Sequence, residues 1–165
     1  GRFWSTVEQR ILVTTENLLI DYRTQCGEFP WAAPFGGPFI SVNSQQFGAL
    51  PLTNASPTDW GNACGFGTAP TPATWLVNHW PNQILYRMCQ TAEGNCVAVL
   101  NSVTSPSAGV IIGPGIALNA QIRPDTDTAD YFEDENTNLP DDQFRRTIQL
   151  NHSNTYNDTT QTLNP

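Results

Sequence analysis

The stretch from Trp4 to Cys26 constrains this chain more than any other, because its apolar residues recur with the period of a helix. Wound at about 100° per residue, Trp4, Val7, Ile11, Thr15, Leu18 and Tyr22 fall on one stripe, flanked by Leu12, Thr14 and Leu19. Glu8 is the one charged residue within it. Ser5 and Glu8 have the spacing of a capping box, in which each side chain satisfies a backbone N–H that the first turn leaves unbonded. Gly27 suits the C′ position, and Pro30 lies just beyond it. The spacing predicts a helix over 4–26, roughly 30 Å long at ~1.5 Å per residue. One side of such a helix must lie along a partner surface that the rest of the chain supplies.

Val13 and Ile20 break the pattern: they point away from the stripe, seven residues apart on the opposite flank. Two readings are open, scattered surface aliphatics of the ordinary kind or a second seam that contacts another subunit.

A chain of 165 residues is long enough to bury a core as one domain without a structural metal. Fifteen acids stand against seven bases, all arginine, for a net charge of −8. With no lysine and no basic run, the chain lacks the electrostatic footprint of a nucleic-acid or anionic-membrane binder. It has no run of eighteen apolar residues and no signal-peptide pattern. It opens abruptly at a helix cap, which reads as the cut end of something longer.

The four cysteines, Cys26, Cys64, Cys89 and Cys96, lack the paired CxxC or Cys/His spacing of a zinc site. A disulfide framework is the better reading, against four reduced buried thiols as the alternative. Cys89–Cys96 is the favoured pair because Glu93-Gly94-Asn95 between them can turn as a hairpin. Cys26–Cys64 follows by elimination, and the phase of Cys26 near the centre of the buried stripe supports it.

Ala32 to Pro81 is dense in Pro, Gly and aromatics and reads as a long ordered loop region, with Phe39-Ile40-Ser41-Val42 a short strand at most. Loops of that length carry function or an interface. Thr71-Pro72 has the form of an N-cap with proline at the first helical position, opening a short helix through Trp75, Leu76 and His79 that Pro81 stops. Ile84–Met88, Val97–Val103 and Gly109–Ile112 read as strands of an antiparallel meander, the last an uninterrupted apolar run, with a Ser-Pro-Ser turn at Ser105–Ser107. Gly113-Pro114-Gly115 breaks that run, Ile116-Ala117-Leu118 resumes it, and alternation from Arg145 to Asn151 predicts a final strand. The Asn/Thr-rich tail beyond reads as frayed.

Eight carboxylates fall between Asp125 and Asp142. Asp134, Asn136 and Asn138 follow the one-three-five spacing of a calcium loop, with Asp142 at the ninth position. Leu139 stands where such a loop needs Gly and Arg145 where it needs Glu, which excludes an EF-hand. An irregular calcium site and a solvated acidic loop both remain open. As catalytic groups, Glu133 and Asp134 lack the opposed, differently solvated pair that glycoside hydrolysis needs. No nucleophile elbow or P-loop occurs, so the residues read as non-enzymatic. Trp60, Trp75 and Trp80 are candidates for a carbohydrate platform, although tryptophans in a small domain more often serve the core.

The long helix ending in Tyr22-Arg23-Thr24-Gln25-Cys26-Gly27-Glu28-Phe29-Pro30 resembles the exposed half of the spine helix of type IV pilins and type II secretion pseudopilins. Trp75–Tyr86, Val110–Leu118, Gln121–Pro124 and Asp130–Asn136 are similar to segments of a subgroup of pilin-like secretion proteins. The resemblance implies an α+β fold, with the helix packed on an antiparallel sheet, a variable region over 32–81 and a sheet over 84–150. The C-terminal loop, 125–142 here, would be closed by disulfide or calcium. It also implies an inner-membrane anchor ahead of the first residue, a periplasmic filament, other pilin or pseudopilin subunits as partners, and Val13 and Ile20 as contacts to them. The alternative from another class is a secreted carbohydrate-binding or adhesin-like module.

Overall fold

The computed structural model describes residues 2–52, 64, 69–101, 103–113, 143–145 and 159–164. Its first element is α1, Arg2–Cys26. The strands are β1 (Phe47–Ala49), β2 (Leu85–Met88), β3 (Val97–Asn101), β4 (Val103–Ser107), β5 (Gly109–Gly113), β6 (Gln143–Arg145) and β7 (Thr159–Thr162), with a short helix α2 at Thr74–His79. The class is α+β.

Helix α1 is already formed at Arg2, so Ser5 lies inside it rather than at the N-cap that the expected capping box requires. The other end is as expected: Gly27 takes a φ of +87°, and its N–H donates to the Arg23 carbonyl at 2.8 Å. Among the described side chains of α1, Glu8, Ile11, Leu12, Thr15, Leu19, Tyr22 and Cys26 are buried. This face is turned toward Leu12 and Leu19 relative to the predicted stripe, leaving Leu18 half-buried and Thr14 exposed. Two polar groups make the turn tolerable. Thr15 donates its hydroxyl back to the Ile11 carbonyl at 2.9 Å, and Glu8 stands against the bare backbone of Gly113.

One sheet has the order β1-β2-β5-β7, antiparallel throughout, and α1 packs on its β5 and β7 side. The pleat sorts β5 between two apolar clusters. Ile111, with Tyr86 and Met88 of β2, joins Leu12, Leu19 and Tyr22 of α1. Val110 and Ile112 face the other way, onto Leu85, Cys89 and Val97. Both faces are covered, which is why Gly109–Gly113 reads as a continuous apolar run.

A second sheet has the order β4-β3-β6. Here the meander expectation fails. β2 pairs directly with β5, and the stretch between folds out as a separate β3–β4 hairpin that includes Ser105–Ser107, read from sequence as a turn. β6 runs parallel to β3, so the 84–150 region is not purely antiparallel. Three further expectations need correction. Phe39–Val42 is not a strand, since Val42 N–H only meets the Ala32 carbonyl, and the strand is Phe47–Ala49. The short helix is preceded by Ala73 rather than capped by Thr71. The tail is not frayed at Thr159–Thr162, which is β7. Residues 116–118 and 146–151 lie outside the described residues.

The structure joins Cys26 to Cys64 and Cys89 to Cys96. The first pair fastens the end of α1 to the region after β1. The second spans no hairpin: Thr91–Glu93 is a 3-10 turn, and the bridge ties the end of β2 in one sheet to the start of β3 in the other. Gln90 and Glu93 form a capping box there, and Gln46 donates to the Glu93 carboxylate at 2.8 Å.

Candidate interaction surface

The outer side of α1 lies roughly 150° from its buried face at 3.6 residues per turn. Val13, Ile20 and Thr24 follow one line along it, with Asn17 beside them. Val13 is 39% exposed and Ile20 is half-buried. Thr24 donates its hydroxyl to the Ile20 carbonyl at 2.9 Å, and Thr14 does the same to Arg10 at 2.8 Å. Both hydroxyls are spent on their own helix, and of the two threonines Thr24 lies on the line, which is thereby less polar than its composition suggests.

The other large exposed apolar side chains among the described residues are Ile40, Val42 and Trp75. Ile40 and Val42 flank Ser41, whose hydroxyl donates to the Trp31 carbonyl at 3.0 Å and pins the loop that carries them. Trp80 is half-buried against the main cluster, which leaves Trp75 as the exposed indole on α2, beside an exposed His79. Arg23 stacks its guanidinium 4.9 Å from the Phe29 ring centre at the end of α1, adding positive charge where the helix dipole is negative.

Beneath this surface two tyrosines meet. Tyr86 donates its hydroxyl to the Pro30 carbonyl at 2.9 Å. Burial, and the neighbouring Tyr22, push its pKa well above the ordinary tyrosine value, while burial pushes Tyr22 up to about 12. Neither phenol ionises at neutral pH.

Asp134, Asn136, Asn138 and Asp142, the calcium expectation, lie outside the described residues, as do Glu133 and Trp60. Among the described residues no group of three or more His, Cys, Asp or Glu is placed to hold a metal ion, and no helix is long and apolar enough to cross a membrane.

Sequence reading missed a polar seam on the inner side of α1. Gln161 of β7 donates to the Glu16 carboxylate at 2.6 Å, Glu8 lies against Gly113, and Leu163 is fully buried just after β7. The available signal was Leu163, one apolar residue in a run of Thr, Asn and Gln. Comparison with known protein families, with curated proteins and with solved structures yields no match to this chain.

Proposed function

We propose that this chain is the periplasmic part of a minor pilin or pseudopilin, a structural subunit of a type II secretion or type IV pilus filament. The observation that carries the reading is α1 itself. It is a 25-residue helix that buries one side on an antiparallel sheet while the opposite side presents Val13, Ile20 and Thr24.

In this reading the subunit works by packing rather than by bond chemistry. An apolar segment continuing α1 upstream anchors it in the inner membrane before assembly, and other pilin or pseudopilin subunits meet the Val13–Ile20 line in the filament. The test is cross-linking in assembled material: single cysteines at Val13 and Ile20 should cross-link to neighbouring subunits, while a cysteine at exposed Asp21 should not. Equal yields at all three positions would contradict the reading.

The exposed Trp75 favours a second reading, a secreted carbohydrate-binding module. It predicts quenching of tryptophan fluorescence by an oligosaccharide, lost in Trp75→Ala.

A further inference from the structure

We propose that Cys89–Cys96 is an exchangeable disulfide whose co-reactant is a dithiol reductant: the reductant's thiolate attacks Cys96 Sγ, Cys89 leaves, and the opened loop releases α1 and β1. The proposal does not depend on the filament reading; it needs only this bridge and the turn it encloses.

The two sulfurs are unequal. Cys89 is buried in the second apolar cluster, whereas Cys96 is half-buried against that cluster and follows five exposed residues, Thr91 to Asn95. A thiolate arriving from solvent therefore meets Cys96. The sulfur it displaces is prepared to leave. Cys96 N–H donates to Cys89 Sγ at 3.0 Å, which stabilises a thiolate there, and a thiol of lower pKa leaves faster. Once protonated, that sulfur has the Ser107 carbonyl 3.5 Å away as an acceptor. In the first step a bond forms from the reductant's sulfur to Cys96 Sγ as the Cys89–Cys96 bond breaks. The reductant's second thiolate then closes its own disulfide and expels Cys96. Two electrons pass to the protein, and the two cysteines take up the two protons that the dithiol gave up.

Opening the bridge leaves its ends in place. Cys89 N–H donates to the Ala108 carbonyl at 2.9 Å, and Val97, next to Cys96, pairs with Ser107. The bridge closes a sequence separation of only 7, so it adds less to folding than a bridge across a long loop, and both sheets stay paired when it is reduced. The turn between is held differently. Thr91 donates its hydroxyl to the Gly27 carbonyl at 3.1 Å, just past α1, and the Glu93 carboxylate accepts from Gln46, the residue before β1, at 2.8 Å. Thr91 and Glu93 are exposed, so these bonds compete with water and hold because the closed ring limits where the turn can go. Reduction frees the turn while the strands stay. The bridge is thus a clasp on the end of α1 and the start of β1, and reoxidation closes it again.

The test treats the oxidised full-length chain with dithiothreitol under native conditions, quenches with acid and labels the freed thiols for peptide mapping. Cys89 and Cys96 should be labelled about tenfold faster than Cys26 and Cys64. Equal rates, or Cys26 and Cys64 first, overturn the proposal. A second arm uses glutathione with excess iodoacetamide, which alkylates the leaving sulfur before the bridge can re-form. Glutathione should be found on Cys96 and the alkyl group on Cys89; the reverse assignment overturns the proposal. Hydrogen exchange of the selectively reduced chain reads the clasp. Protection should fall at Glu93 and Gly94, whose N–H groups donate to the Gln90 and Thr91 carbonyls, and persist in β2 and β5. Unchanged protection in the turn, or its loss in β2 and β5 as well, contradicts a local release.

Discussion

Glu8 of α1 lies so close over Gly113 of β5 that a Cβ on that glycine would fall 2.6 Å from the carboxylate oxygen Oε1. The helix is seated on the sheet at a place where the strand has no side chain. Gly109 is closed by a different neighbour, the Arg87 backbone carbonyl at 2.7 Å from its added Cβ. Gly113→Ala and Gly109→Ala should each destabilise by about 1–3 kcal/mol, the usual cost of overpacking. In a Glu8→Ala background the Gly113 penalty should largely vanish and the Gly109 penalty should persist, because a side chain can be removed and a carbonyl cannot. Denaturant melts of the double-mutant cycles measure this.

The two sides of α1 should respond oppositely to truncation. Leu12→Ala or Leu19→Ala removes a fully buried side chain and should cost about 2–5 kcal/mol. Val13→Ala leaves the isolated domain within about 0.5 kcal/mol of the parent. Thermal or urea unfolding of the three variants tests the assignment of the faces.

The disulfides differ in the length of chain they close. Cys26–Cys64 spans a sequence separation of 38 and Cys89–Cys96 one of 7. On the chain-entropy account these give about 4 and about 2 kcal/mol respectively. Replacing Cys26 and Cys64 together by alanine should therefore lower the melting temperature more than replacing Cys89 and Cys96. Four alkylated cysteines in the native, unreduced chain would contradict both bridges.

The buried phenols set an alkaline limit. Tyr22 carries a folded pKa of about 12 against 10.0 when unfolded, and Tyr86 is raised further in the same direction. Above pH 10 the unfolded chain releases these protons while the folded chain keeps them, so stability is complete below pH 10 and falls as pH rises from there toward 12. A native-state titration followed by phenolate absorbance should show the same amplitude near pH 10 in Tyr86→Phe as in the parent, and stability in that variant should fall less steeply with alkali.

Legibility in the sequence followed the source of each element's stability. Helix α1 and the Gly109–Ile112 strand were readable because burial of side chains defines them, and burial leaves a periodic mark. The rotation of the α1 face was not readable, since it depends on Gly113 giving Glu8 room from far along the chain. β4 was misread because Ser-Pro-Ser looks like a turn, yet proline is tolerated in this strand, which among the described residues is paired on one side only, with β3. β7 was misread for a related reason: its polar residues are held by backbone pairing to β5, which no local pattern reports. The cysteine pairing was legible, but the hairpin offered for it was not the reason it forms. Of the outer surface, Val13 stands exposed as read, whereas Ile20 is half-buried.

The central claim is that α1 is the lower part of a longer spine. Reading the residues encoded immediately ahead of Gly1 in the native protein tests it most directly. The account predicts a prepilin cleavage motif of the Gly-Phe-Thr-Leu-x-Glu type, opening an apolar helix of about twenty residues that runs without a break into α1. A conventional signal peptide ending next to Gly1, with α1 beginning the mature chain, would contradict it.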